Sequence, residues 1–372
     1  MPESSVESVP SNIVWDIARY VIVAVAVGLL IWYYLFYTPI SYVSREHAGK
    51  TMGTEYKVQV SRFPELADWK EIAGAIQQRL DALEEMMSGY RHGSDVSRFN
   101  ASTNTEDWFP VSPETALVVQ EAQAIAKLTE GAFDITIAPL VPHWGFGTAG
   151  GLRQNRYFED VRTAALQLKE QTGYEKLSVR LDPPALKKSI PELAIDFSAI
   201  AKGFAVDAVA ELLEEHKIND YLIEIGGEVR AKGKRGKDRD RDWGVGIEKP
   251  TREFSGFQQV FTLSDRSLAT SGNYLQTTEI GDQRVSHIID PRTGSPVSIK
   301  SGTGLASTAV LAANCTQADA WATAMFVLGE QTGLELAEKH GIAVLFLIDG
   351  GNEIIELRST HWTAVPLSLP LE

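Results

Sequence analysis

Cysteine is nearly absent: Cys315 is the only one in 372 residues. No internal disulfide can form, and a cysteine-based zinc ribbon or an iron–sulfur cluster lacks its ligands. A chain of this length buries enough core to do without such staples. Basic residues are also scarce, with Lys plus Arg at 35 against 49 Asp plus Glu, a formal charge of −14. General nucleic-acid binding needs a basic stripe, and outside one short loop there is none. Repeats and low-complexity tracts are missing. So are the standard nucleotide loops: no G-x-G-x-x-G follows a strand, and no G-x-x-x-x-G-K-[ST] occurs. What remains, 44% hydrophobic and 23% charged residues, is the composition of a folded globular protein. Its length allows two domains or one with two lobes.

Charge is missing altogether from Tyr20 to Tyr37, an uninterrupted run of 18 residues. As a helix rising about 1.5 Å per residue, this run spans a hydrocarbon core of roughly 27–30 Å. Trp32, Tyr33, Tyr34 and Tyr37 gather at its C-terminal end, the place of an aromatic belt. A cleaved signal peptide is the competing reading. Against it, Glu3, Glu7 and Asp16 outnumber Arg19 in the leading segment, and no small-x-small site follows. The expected layout is a tail at 1–19, a transmembrane anchor at 20–37, a linker at 38–50 and a catalytic domain at 51–365.

Beyond Pro39, residues 55–60 (EYKVQV) alternate like a strand. Trp69 to Met87 carries Ile72, Ile76, Leu80, Leu83 and Met87 at helical spacing. Further helices are predicted from about Pro113 to Thr129, stopped by Gly131, and from about Gly203 to His216. Two more run from Thr316 to Leu328 and from Gly333 to His340. Residues 147–160 form a Gly-rich polar loop, the weakest point for a lobe boundary. The mixed-charge run 231–243 reads as a solvated hairpin tip, with phosphate or membrane contact as the alternative. Residues 343–348 and 353–357 read as a closing hairpin. Strands and helices intermix without a βαβ rhythm, which predicts an α+β fold.

Several residues have chemical possibilities. Asp319 and Thr323 lie four apart on a predicted helix, putting a carboxylate and a hydroxyl on one face. Such a pair suits Mg²⁺, or serves as an ordinary capping or solvating arrangement near a helix start. Asp196 opens DFSAIAKG, which runs into a helix where backbone N–H groups and Lys202 attract phosphate. The plain alternative is an N-cap made by Ser198. His287, in SHIIDPRTG, is either a general base near a carboxylate or a buried, hydrogen-bonded histidine. Met52-Gly53-Thr54 and Trp144-Gly145-Phe146-Gly147 could wall a planar ring or pack a core turn.

Read in order, these segments resemble the ApbE family, the FAD:protein FMN transferases. The resemblance runs from about residue 46 to 360 through MGTEY (52–56), MSGYRHGSDVSRFN (87–100), GAFDITIAPLVPHWGFG (131–147) and IDFSAIAKGFAVD (195–207). It closes with IEIGGEV (223–229), SLATSGNY (267–274), SHIIDPRTGSPV (286–297) and ASTAVLAANCTQADAWATAMFVLG (306–329).

The resemblance implies a two-lobed ApbE-type (T-fold-like) α+β catalytic domain behind one N-terminal transmembrane helix. It implies Mg²⁺-dependent transfer of FMN from FAD to a Thr or Ser hydroxyl of an acceptor protein, forming a phosphoester and releasing AMP. The metal ligands implied are Asp319, Thr323 and the carbonyl of Ala199. Met52, Tyr90, Ala132, Phe133, Asp134, Asp196 and Lys202 correspond to flavin-nucleotide contacts. His287 matches the catalytic histidine, with Asp290 in position to orient it. Two departures stand out. Pro142-His143 precedes Trp144 where the family often has Asn-Leu, and the usual lipid-anchoring cysteine is replaced by the apolar run. The implied location is the outer, periplasmic face of a bacterial inner membrane. Implied partners are flavin-carrying subunits of membrane redox complexes, of the Na⁺-translocating quinone reductase or Rnf type, or FMN-binding-domain proteins. The acceptor motif S/T-G-A-S/T has no copy in this chain, so self-flavinylation is not expected. An FAD pyrophosphatase yielding FMN and AMP, and an FAD carrier without turnover, are the alternatives.

Overall fold

Eight strands of one antiparallel sheet follow one another in chain order: β1 (Tyr42–Thr51), β2 (Thr54–Pro64), β3 (Tyr221–Ile225), β4 (Glu228–Lys232), β5 (Arg266–Gly272), β6 (Gly304–Ala312), β7 (Ala343–Asp349) and β8 (Ile354–Arg358). The computed structural model describes residues 11–36, 41–147, 157–236, 238–251, 253–273, 277–281, 283–298 and 304–366. The helices are α1 (Ser11–Phe36), α2 (Trp69–Met87), α3 (Asp95–Ala101), α4 (Pro113–Leu128), α5 (Leu140–His143), α6 (Phe158–Lys169), α7 (Ala201–Glu215) and α8 (Cys315–His340). Helices α2 to α7 enter between β2 and β3, and α8 enters between β6 and β7.

Strand β7 explains the layering. Its alternating side chains part to opposite faces. Val344 and Phe346 join the large core with the helices, while Ala343, Leu345 and Leu347 join a second core. That second core is closed by Trp243, Val245, Ile247, Phe261, Leu263 and Trp362. Five of these come from a small sheet containing the strands Trp243–Glu248 and Phe257–Leu263. Since both faces of the main sheet are covered, β7 is apolar from Ala343 to Ile348 rather than alternating. The connection 233–242, with the Arg235–Arg241 bridge at its tip, joins the main sheet to the small one. The expected hairpin tip is therefore present, but its two flanking strands belong to different sheets.

Two boundaries differ from the sequence reading. Residues 42–50, expected as linker, belong to strand β1. Gly49 sits where a Cβ would lie 2.7 Å from the Tyr56 ring, so only glycine lets that ring cover the strand. The Tyr56 hydroxyl donates to Gln77 at 2.7 Å and lies 2.9 Å from His47 Nε2. The two lobes expected on either side of 147–160 form one compact unit, residues 43–63 and 68–372. They are joined by a core in which Leu140 and Trp144 pack with Val161, Ala165, Ile280, Val285 and Ile289. Most of the Gly-rich loop itself, 148–156, lies outside the described residues.

The other unit holds residues 1–42 and 64–67. Its helix α1 has 26 residues, about 39 Å long at the usual rise. From Ala18 to Tyr33 every side chain is exposed. Among the described residues no helix is long and apolar enough to cross a membrane. The expected span reaches Tyr37, which lies outside them.

Candidate active site

Helices α7 and α8 cap each other. An α-helix leaves its first N–H groups without intrahelical partners and carries a partial positive charge there, so carboxylates are favoured at that end. Asp319, from the second turn of α8, accepts the Gly203 N–H of α7 at 2.9 Å through Oδ2. Asp207 of α7 returns the bond, accepting the N–H groups of Cys315 and Thr316 at 2.9 and 2.8 Å and the Thr316 hydroxyl at 2.6 Å. Arg230 completes the group, donating to Asp207 Oδ1 at 2.6 Å. The expected Ser198 cap is not the one used. Ile200 occupies the cap position without a side-chain bond, and Ser198 instead gives its N–H to Asp196 Oδ1 at 2.7 Å.

Gly203 is the third residue of α7, so its N–H is one of those without an intrahelical partner, and it turns to Asp319. The Ala199 carbonyl, just before the cap residue Ile200, accepts no hydrogen bond among the described residues. Thr323 lies one turn beyond Asp319, ahead of the break in α8 at Gly329 (φ 77°, ψ 172°). Its hydroxyl is 3.0 Å from that of Ser271 on β5. Of the three expected metal-ligand residues, Asp319 holds the Gly203 amide and Ala199 lies just before the α7 cap residue Ile200. The third, Thr323, is on the same face of α8 as Asp319. The donors are a carboxylate, a hydroxyl and a carbonyl, the hard oxygens Mg²⁺ takes when substrate phosphates and water fill the remaining positions. Among the described residues no group of three or more His, Cys, Asp or Glu could hold a metal.

Glu228 is the residue that sequence reasoning missed. It follows the Gly226-Gly227 turn on β4, is 2% exposed, and forms a salt bridge with Lys202. Its Oε2 is buried with no hydrogen-bond partner among the described residues. Burial, then the charge of Asp319, raise its carboxyl against the pull of Lys202. Burial also raises Asp319, opposed by Lys202 and the Gly203 amide. Burial would lower Lys202, but Glu228 and Asp319 outweigh it and raise it. Local sequence holds one clue, a carboxylate inside the quoted IEIGGEV run. Its partner Lys202 lies 26 residues upstream.

The expected nucleotide contacts fall into connected groups. The Asp196 N–H donates to the Ile135 carbonyl at 2.7 Å, tying the Asp196 segment to Ala132–Asp134. Ala132 and Phe133 are buried. Asp134 accepts the Thr136 N–H and hydroxyl at 2.8 and 2.7 Å, yet burial still raises its carboxyl to about 6. Met52 and Gly53 form the two-residue β1–β2 turn with φ of 47° and 75°, and Met52 N–H meets Glu84 Oε2 at 3.3 Å. Tyr90 is 54% exposed. A Cβ on Gly147 would come within 3.1 Å of its hydroxyl, so this glycine seats the tyrosine.

Asp134 supplies a pH test. Between its ordinary value of 3.8 and about 6, the folded chain keeps a proton that the unfolded chain has lost. Stability from this group is complete below the lower value and falls as pH rises through the upper one, by about 2–3 kcal/mol. Asp134→Asn retains an oxygen for Thr136 and removes the titration. Urea unfolding at pH 4.5 and 7.5 should therefore show a smaller loss in the variant; equal losses would refute the assignment.

His287 is half-buried, its ring edge-on to Phe146 at a centroid distance of 6.4 Å. The neighbouring Ile288 packs with Ala132, Phe326 and Val327, which fixes this segment against α8 just beyond Thr323. Trp144 Nε1–H donates to the Gly294 carbonyl at 2.8 Å, so the two glycine-flanked segments meet. Asp290, the residue expected to orient His287, pairs with Arg292. Arg292 takes both of its oxygens, by Nε at 3.0 Å to one and Nη2 at 2.9 Å to the other, because the Asp-Pro-Arg turn folds the arginine back. His143, at the departure from the family pattern, donates from Nε2 to the Val161 carbonyl at 2.8 Å. A surface cavity of about 580 Å³ along α6, lined by His143, Tyr157, Asp160 and Gln171, includes none of the expected site residues. Tyr274, at the end of the SLATSGNY segment, lies outside the described residues.

Known proteins share this arrangement of segments. The family model of the ApbE family matches residues 52–346. An FAD:protein FMN transferase of Vibrio cholerae is 40% identical over 319 residues, 85% of this chain and 90% of that protein. One from Escherichia coli K12 is 34% identical over 306 residues, 82% and 84% of the two chains. Among solved structures, the flavin transferase ApbE from Vibrio cholerae matches with a TM-score of 0.75 at 37% identity, over 86% of this chain and 98% of that one. The apo form of the Pseudomonas stutzeri flavinyl transferase ApbE also gives 0.75, at 31% identity over 87% and 97%.

Proposed function

The chain belongs to the ApbE family, and from that premise we propose that it is an FAD:protein FMN transferase acting at the α7–α8 junction. The observation that carries the reading is the Gly203–Asp319 hydrogen bond, which fixes a buried carboxylate at the first turn of α7, four residues after an Ala199 carbonyl that accepts no hydrogen bond among the described residues. Asp319, Thr323 and the Ala199 carbonyl would hold a divalent cation. When bound, it supplies charge neutralisation at the pyrophosphate of FAD.

The chain's own groups do the rest. Lys202, at the start of α7, is placed to meet phosphate charge together with the helix N-terminus. His287 takes the proton of the acceptor's Thr or Ser hydroxyl as that oxygen attacks the phosphorus of the FMN half. The new bond is the phosphoester, the broken one is the pyrophosphate P–O bond, and AMP leaves. Tyr90 and Met52 lie at turns where a flat ring can rest on side chains, which suits the flavin. If water replaces the acceptor, the same site hydrolyses FAD to FMN and AMP.

The second part of the proposal is location. The exposed apolar side chains of α1 suit a single-pass anchor, with the catalytic domain on the periplasmic face of a bacterial inner membrane. Acceptors would then be flavin-carrying subunits of membrane redox complexes. The test uses the full chain in detergent with FAD, Mg²⁺ and an acceptor bearing an S/T-G-A-S/T segment. Acceptor fluorescence that survives a denaturing gel, with matching AMP release, is the expected result. AMP without labelled acceptor would favour hydrolysis, and recovery of the chain in the soluble fraction of cells would overturn the anchor.

A further inference from the structure

Around the proposed cation site stand one ammonium and two carboxylates. Lys202 is bound to Glu228 and also lies within the field of Asp319. Its neighbour Gly203 is already bonded to Asp319. A lysine stem is flexible, and its ammonium moves to the strongest available anion. Glu228 is as deeply buried as Asp319: the carboxylate is 2% exposed, one oxygen holds Lys202, and the other has no hydrogen-bond partner among the described residues. Building such a buried acceptor costs stability unless it does something for the fold or the site. The fold already has its α7–α8 clamps in Asp207 and Asp319.

We infer that Glu228 is a positioning residue whose task is to hold Lys202 away from Asp319, so that the Asp319 carboxylate stays available to a divalent cation. Removing the Glu228 charge lets the ammonium swing onto Asp319 and occupy the oxygen a cation would take. Lys202 thereby stays beside the cation position as a separate positive group for phosphate. The inference rests on the metal reading of Asp319 given above.

The arrangement makes an unusual demand on mutants. Glu228→Gln, which keeps the shape, should weaken cation binding by about tenfold or more, because a close ammonium at moderate dielectric offsets most of one carboxylate's pull. Adding Lys202→Met to it should restore affinity to within about threefold of the parent, since no ammonium remains to collapse. Lys202→Met alone should bind the cation at least as well as the parent.

The experiment titrates Mn²⁺ alone into the full-length chain in detergent, reads free Mn²⁺ by electron paramagnetic resonance, and records a thermal melt for each variant. Weak binding in Glu228→Gln with recovery in the double variant supports the inference. It is overturned if Glu228→Gln binds Mn²⁺ like the parent, or if the double variant is as weak as the single one. Should Glu228→Gln fail to fold, Lys202→Met decides, because weaker binding there contradicts the idea. Asp319→Ala separates the two levels. Full Mn²⁺ affinity in that variant would remove the metal reading itself, whereas its loss, with Glu228→Gln unaffected, would remove only the role of Glu228.

Discussion

Asp319→Ala should abolish FMN transfer, by about 10³-fold or more, since losing a metal ligand at a pyrophosphate forfeits several kcal/mol of transition-state stabilisation. Alanine also takes away the acceptor of the Gly203 N–H, leaving a buried donor unmet, so a drop in melting temperature would accompany the lost activity. Asp319→Asn separates the two effects. Its amide oxygen can still accept from Gly203 at the same place, so the α7 cap survives. The buried charge disappears, which relieves the desolvation that raises this carboxyl. The asparagine variant is expected to melt at or above the parent temperature while transferring FMN no better than the alanine variant. Rates from in-gel fluorescence and melts on the same preparations decide it. Substantial transfer by Asp319→Asn would mean that the charge is not needed, and the cation site would have to be sought elsewhere.

What the sequence disclosed was whatever a single element encodes. Asp319 and Thr323 could be paired because helical periodicity alone puts residues four apart on one face. The two parts of α8 were legible from their spacing, with the break at Gly329 falling between them. Helix α2 could be bounded at Trp69 and Met87 because five apolar residues repeat on one stripe and all five are buried. Asp207 and Glu228 stayed hidden, since their partners are remote or on another element. Asp207 caps a helix that begins 108 residues later, and Gly203 meets a carboxylate 116 residues away. No window of sequence holds both halves of such a bond. Arg292 is the opposite case, a partner close in sequence: it grips both oxygens of Asp290 across the turn, a contact that the reading of Asp290 with His287 did not anticipate. Strand β1 was missed because charged residues interrupt it; its pairing with β2 needs only backbone, and Tyr56 covers it from the next strand.

Gly203 is where fold and site depend on the same atom-scale fit. A Cβ at this position would lie 2.3 Å from the Cys315 carbonyl oxygen, 2.7 Å from its carbon and 2.8 Å from Asp319 Cβ. Two of those atoms are backbone at the start of α8 and cannot rotate aside, so the helices must separate. Separation stretches the Gly203–Asp319 bond on one side and the Asp207 bonds to Cys315 and Thr316 on the other, which close the same junction. Gly203→Ala is therefore expected to destabilise the chain by about 3 kcal/mol or more, the upper end for overpacking a core. Helix propensity works the other way. Alanine is favoured over glycine by about 1 kcal/mol inside a helix, so a loss of that size would reveal contact rather than conformation. Gly74, within α2, has nothing within 4 Å of its would-be Cβ. Gly74→Ala should consequently gain about 0.5–1 kcal/mol. Urea unfolding of the two variants against the parent should give shifts of opposite sign. A neutral Gly203→Ala would mean that α7 and α8 can part without cost, and with it would go the argument that their junction fixes the position of Asp319.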